Sequence, residues 1–167
     1  MYKILVVEDE EIERKALVSL LKEHFAESLV VYNASNGMEA LEILKDEDVQ
    51  IIVSDINLPG INGLETIEFA KKINKDIISL VLTSYSYFEY AKEAIKLGVE
   101  DFILKPVSIE KMCNTIYQII NKIDSRNSEK NQATQLVLKM EEIKPIVESD
   151  CIHSIVQNSR YEEIRKY

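Results

Sequence analysis

Five short apolar runs recur along the chain, each followed by a stretch of helical periodicity. The runs are KILVVE (3–8), LVVYNA (29–34), IIVSD (51–55), ISLVLT (78–83) and DFILK (101–105). They are rich in Val, Ile and Leu with little polar alternation, as strands buried on both faces of a parallel sheet are. Between them, apolar residues fall three and four apart: Ile12, Ala16, Leu17, Leu20 and Leu21, then Ala40, Leu41 and Leu44. Leu64, Ile67 and the Ala70–Ile73 turn repeat the pattern, as do Phe88, Ala91, Ala94 and Ile95, then Ile109, Met112, Cys113, Ile116 and Ile120. That spacing predicts five helices, each with these positions on its buried face. Gly98 reads as a helix C-terminal residue and Ser108 as part of an N-cap. In the loop after the third run, Pro59 presets a turn and Gly63 is expected to supply a positive φ.

Strands alternating with helices predict a (βα)5 unit, an α/β fold with a doubly wound parallel sheet and right-handed crossovers. Such sheets bind ligands beyond the carboxyl ends of their strands, at the point where strand order reverses. With the order 2-1-3-4-5 that point lies between strands 1 and 3, where Glu8, Asp9 and Asp55 leave the sheet. From Asn121 the pattern changes. NKIDSRNSEKNQAT (121–134) is polar and reads as a boundary, or as an exposed helical extension. Leu136, Met140, Ile143 and Val147 follow at 4-3-4 spacing, interrupted by Pro145, with Ile152, Ile155, Val156 and Ile164 beyond. The chain is therefore divided into residues 1–122 and a helical linker or connector over 123–167.

Composition narrows the function. With 46% hydrophobic residues in 167, there is material for a folded core. The net charge of −9 is carried almost wholly by residues 1–122, which hold −8, leaving −1 for 123–167. Neither part has the basic excess of a nucleic-acid footprint, so DNA binding is expected only through regions absent from this chain. Cys113 and Cys151 lie far apart with no C-x-x-C pair, which favours buried thiols in a reducing cytoplasm. His24 and His153 offer poor prospects as metal ligands. No apolar run approaches the roughly 18 residues of a membrane span.

The chemistry concentrates at strand ends. Glu8, Asp9 and Asp55 form an all-oxygen donor set of the kind that suits Mg²⁺. Thr83 ends the fourth run with Ser84 next to it, and Lys105 ends the fifth. Carboxylates, a divalent cation, a hydroxyl and an ammonium at one sheet edge describe a phosphoryl site, in which a free carboxylate can attack phosphorus. Repulsion raises the pKa of at least one clustered carboxylate, and a cation offsets it. Glu10, Glu11 and Glu13 read more simply as acids in the first turn of a helix, favoured by its dipole.

Here the chain resembles the receiver domain of two-component response regulators. The resemblance rests on VVEDEE (6–11), SDINLPGINGLE (54–65) and LTSYSYFEYAKEAIKLGVEDFILKP (82–106), and covers roughly residues 1–122. It implies a flavodoxin-like receiver fold. It implies Asp55 as phosphoacceptor, taking its phosphoryl group from a sensor histidine kinase. Asp9, Asp55 and the Asn57 carbonyl would ligate Mg²⁺ directly, with Glu8 acting through water. Lys105 would contact the phosphoryl group and Thr83 would respond to it, while Ser84 allows close approach. Phe102 stands at the switch aromatic, often Tyr in the family, and Lys105–Pro106 would be a cis bond. Residues 123–167 look closest to the connector of receivers that precede an AraC-type helix-turn-helix, which implies transcriptional output. Receivers commonly pair through helix 4, strand 5 and helix 5, and Tyr85, Tyr87, Phe88 and Tyr90 lie on that stretch. A homodimer is expected there or through the C-terminal helices.

Two other classes compete. An aspartyl-nucleophile phosphohydrolase wants a second acid two residues after the nucleophile, where this chain has Asn57. A receiver-like module that only dimerises would not need the whole site. Only four glycines are present, which rules out G-x-G-x-x-G and Walker A loops. The expectation is a phosphoacceptor that at most catalyses its own phosphorylation and dephosphorylation, not an enzyme acting on other substrates.

Overall fold

The computed structural model of the protein describes residues 1–84 and 88–135. The expectations for Tyr85, Tyr87, the Phe88 side chain, Cys151, His153 and the spacing over 136–164 lie outside the described residues. The chain divides into Met1–Ile120 and Asn121–Tyr167. In the first unit the order is β1 (Tyr2–Val7), α1 (Glu11–Phe25), β2 (Leu29–Ala34), α2 (Gly37–Asp46), β3 (Ile51–Asp55), α3 (Gly63–Ile73), β4 (Ile78–Thr83), α4 (Phe88–Lys96) and β5 (Asp101–Leu104). A fifth helix, α5, occupies residues 109–120 of this unit. In the second unit residues 121–135 are helical.

The five strands form one parallel sheet in the order β2-β1-β3-β4-β5. The predicted doubly wound order is therefore observed. Every residue of β3 and β4 is buried, as their unbroken apolar character requires. Alternate strand residues feed opposite faces. Leu5, Val7, Ile52 and Val81 join Ala40 and Leu44 of α2, Leu64, Ile67 and Ala70 of α3, and Ala94 of α4 in one cluster. On the other face, Leu17, Leu21 and Phe25 of α1 and Met112 and Ile116 of α5 are buried, and the rings of Phe25 and Tyr117 meet at 4.8 Å.

Local chemistry ends the helices where turns are needed. Asn36 caps α2, and Asn62 and Glu65 form a reciprocal capping box on α3. Gly98, at φ 64°, closes α4: its N–H bonds the Ile95 carbonyl and the Val99 N–H bonds that of Ala94, a Schellman pair. Ser108 Oγ accepts from the Lys111 N–H at the start of α5.

Two expectations are corrected. The buried face of α1 runs Leu17–Leu21–Phe25, so Ile12 and Ala16 are exposed, Ile12 by 84%. Ile12 lies five residues before Leu17, about 140° around the helix, and no phase buries both. Ile73, Ile95 and Ile109, also assigned to buried faces, are exposed for the same reason: each helix buries a narrower stripe than its apolar residues suggest. Gly63 does not have a positive φ; among the described residues Gly60 and Gly98 do. Gly63 is needed because a β-carbon there would overlap the carbonyl oxygen of Asp55.

Candidate functional site

Parallel register brings the strand ends to one edge. Val7 pairs with Ser54, Asp55 with Leu82, and Thr83 with Leu104, so Glu8, Asp55, Thr83 and Lys105 leave adjacent strands in adjacent rows. Backbone bonds extend the ladder past the strands: Glu8 N–H to the Ala34 carbonyl at 3.1 Å, and Lys105 N–H to that of Thr83 at 2.7 Å.

Glu8, Asp55 and Thr83 are buried, whereas Asp9 is exposed. Glu8, Asp9 and Asp55 each present a carboxylate oxygen, and these oxygens lie within 4.8 Å of one another. Opposite them stands Lys105. Its Nζ donates to Glu8 at 2.7 Å, to Asp55 at 2.7 Å and to Glu13 at 2.6 Å. Burial pushes the Glu8 carboxyl above its ordinary value; the bond to Lys105 and that cation's charge pull it back, and the Asp55 charge adds to the rise. Burial works against the Lys105 ammonium, but its bonds to Asp55, Glu13 and Glu8 prevail, and its pKa lies above the ordinary lysine value.

The loop after β3 is held tightly beneath this cluster. The Asn57 N–H donates to Asp55 Oδ1 at 3.3 Å, the N–H groups of Leu58 and Gly63 both reach the Ile56 carbonyl, and Ser54 Oγ donates to the Asp55 carbonyl. The Asn57 side chain is exposed, as is Ser84 at the end of β4. Phe102 is half-buried and packs against the core below the edge. The Lys105–Pro106 bond is cis.

Two residues here were not singled out in the sequence. Glu13, assigned only to the helix dipole, reaches the Lys105 ammonium. It lies in the first turn of α1, just past the strand end that carries Glu8 and Asp9, and no local pattern sets it apart from the neighbouring acids. Arg14 donates to the carbonyls of Glu8 at 2.6 Å and Asp9 at 3.1 Å, tying the first turn of α1 to the end of β1. Glu11 behaves as expected of a surface acid, pairing with Lys15 one turn on.

The response regulator receiver domain model matches residues 4–117. The chain belongs to the response regulator receiver domain family. It is similar to the uncharacterized transcriptional regulatory protein YesN of Bacillus subtilis, with 27% identity covering 93% of this chain and 42% of that protein. The chain spans about half the length of the curated relatives it matches. Among solved structures, a response regulator receiver domain protein from Clostridium thermocellum superposes with a TM-score of 0.68 at 25% identity, covering 74% of this chain and 98% of that one. The response regulator protein TrrA from Thermotoga maritima, in complex with Mg²⁺ and BeF, gives 0.63 at 28% identity over 71% and 99%. The flavodoxin-like receiver fold is thereby established for the first unit. No helix among the described residues is long and apolar enough to cross a membrane.

Proposed function

We propose that Asp55 is the phosphoacceptor of this receiver and takes its phosphoryl group from the phosphohistidine of a sensor histidine kinase. The observation that carries the proposal is the buried Asp55 carboxylate with the Lys105 ammonium 2.7 Å from one oxygen and the Glu8–Asp9 pair beside it. In the transfer, an Asp55 oxygen forms the bond to phosphorus as the phosphorus–nitrogen bond breaks, and the electron pair of that bond returns to the imidazole ring. Lys105 neutralises charge on the phosphoryl oxygens, and Thr83 donates to one of them at the end of β4. Ser84 leaves room beside it.

Glu8, Asp9 and Asp55 fit a hard divalent cation: their oxygens are close enough to share one, and among the described residues no His or Cys joins the cluster. We assign them, with the Asn57 carbonyl, to Mg²⁺, which supplies charge neutralisation to a carboxylate cluster attacking an anionic group. Asn57 also weighs against a phosphohydrolase, because it cannot serve as the second acid such an enzyme requires.

Added phosphoryl charge of about −2 is the switch signal, felt first by Thr83 and Lys105 and passed toward Phe102. Exposed Ile95 and Leu104 on α4 and β5 support this side as a pairing surface between two receivers. Similarity to a transcriptional regulatory protein supports transcriptional output through DNA-binding regions outside this chain, with residues 123–167 as the connector. Action in the cytoplasm follows from the kinase as donor. Incubation with a small phosphodonor and Mg²⁺ should label the wild-type protein and leave Asp55→Asn unlabelled; equal labelling of both would sink the assignment.

A further inference from the structure

An ammonium group has three N–H donors and no more. All three of Lys105 are committed, to Glu8, Glu13 and Asp55. A phosphoryl oxygen can therefore be bonded by Lys105 only if one carboxylate gives it up. The three are not equally easy to leave. The Glu8 and Asp55 side chains are 1% and 8% exposed, so parting from the ammonium would strand a buried charge. The Glu13 side chain is 43% exposed and hydrates as soon as it lets go. Glu13 also stands apart from the Glu8–Asp9–Asp55 set whose charge a cation would share. Its backbone is fixed with respect to the site, because Arg14 ties the same helical turn to the Glu8 and Asp9 carbonyls.

The geometry points to Glu13 as a positioning residue that holds Lys105 in the unphosphorylated protein and competes with the phosphoryl oxygens for it. Phosphorylation then requires an exchange of partners: Lys105 leaves Glu13 for the phosphoryl group, and Glu13 turns into water. Glu13 weakens phosphoryl binding in two ways, by retaining the ammonium and by adding a third negative charge beside it. The inference rests on the assignment of Asp55 as phosphoacceptor.

The test compares wild-type protein, Glu13→Gln and Glu11→Gln. The last removes an equal charge from the same helical turn but pairs with Lys15 and leaves Lys105 alone. Two quantities are measured: the rate at which an amine-acylating reagent modifies Lys105 in metal-free protein, read by peptide mass spectrometry, and the affinity for beryllofluoride in the presence of Mg²⁺. Loss of a half-exposed ion pair predicts roughly fivefold tighter beryllofluoride binding in Glu13→Gln, with faster Lys105 modification, and near wild-type behaviour in Glu11→Gln. Equal beryllofluoride affinity in the two variants overturns the inference. If the wild-type protein binds no beryllofluoride, the assignment of Asp55 fails on its own. The labelling then decides the hold alone: faster Lys105 modification in Glu13→Gln upholds it, and equal modification in both variants overturns it.

Discussion

A β-carbon at residue 63 would collide with the carbonyl of Asp55 and crowd Ser54 Oγ, so the first residue of α3 packs directly on the end of β3. Gly63→Ala must push the loop that carries Asn57 away from Asp55. Overpacking of this kind costs about 1–3 kcal/mol. Gly60→Ala is the matched control, since Gly60 has a positive φ and open space around it, and strain alone should cost about 1 kcal/mol. Urea denaturation should rank Gly63→Ala as the less stable of the two, and only Gly63→Ala should also lose Mg²⁺ affinity.

Lys105 neutralises three carboxylates, two of them buried. Lys105→Met leaves Glu8 and Asp55 with no cation, and stranding a buried charge costs about 3–5 kcal/mol. Part of that loss is recoverable, because a divalent cation can take over the neutralisation. The variant should melt well below wild-type in EDTA and gain more than wild-type from saturating Mg²⁺. A ligand at 100 times its Kd contributes roughly 2.7 kcal/mol of stability. An equal Mg²⁺-induced shift in the two proteins would show that the cation and Lys105 do not share the same carboxylates.

Much of this arrangement was legible in the chain because strands buried on both faces are nearly all apolar, and their ends are marked by the first polar residue. That is why Asp55, Thr83 and Lys105 could be placed at one edge from pattern and topology alone. Helix faces were less legible. Ile12, Ile95 and Ile109 sit beside true core positions in sequence, and only the packing phase decides that they face water. Gly63 illustrates a different limit. Glycine serves either a positive φ or a close approach, and a single sequence cannot say which until the neighbouring carbonyl is in place. Glu13 was obscured by company: among the three acids of α1's first turn and its cap, nothing local distinguishes the one that reaches across to β5.

Arg14 spans the turn between β1 and α1 with hydrogen bonds to two consecutive carbonyls. Those carbonyls belong to Glu8 and Asp9, so the guanidinium orients both proposed ligand residues through their backbone. Arg14→Ala should leave the fold cooperative while weakening Mg²⁺ binding by roughly tenfold, the usual cost of losing a residue that orients ligands. Arg14→Lys should recover only part of it, because an ammonium lacks the planar fork. Calorimetric titration of Mg²⁺ into the three proteins measures the order directly.

Away from the site, the start of α2 is closed by a carboxylate whose bonds depend on pH. Asn36 Oδ1 accepts from the Glu39 N–H at the start of α2, while Glu39 returns the bond, accepting from the Ser35 N–H and hydroxyl at 2.7 Å each. Those bonds, the backbone one foremost, hold the Glu39 carboxyl below its ordinary pKa of 4.5. A carboxyl with a lowered folded-state pKa contributes stability that is complete above its unfolded value and disappears as pH falls through the folded one. Asn36→Ala should therefore cost about 1 kcal/mol at any pH where the protein is folded. Glu39→Gln should cost less, about 0.5 kcal/mol after allowance for solvent screening, and only above the ordinary carboxylate range. Denaturation midpoints of wild-type and Glu39→Gln should converge on acidification below pH 4.5. A gap of constant size down to acid would mean that hydrogen-bond shape, and not the carboxylate charge, holds this turn.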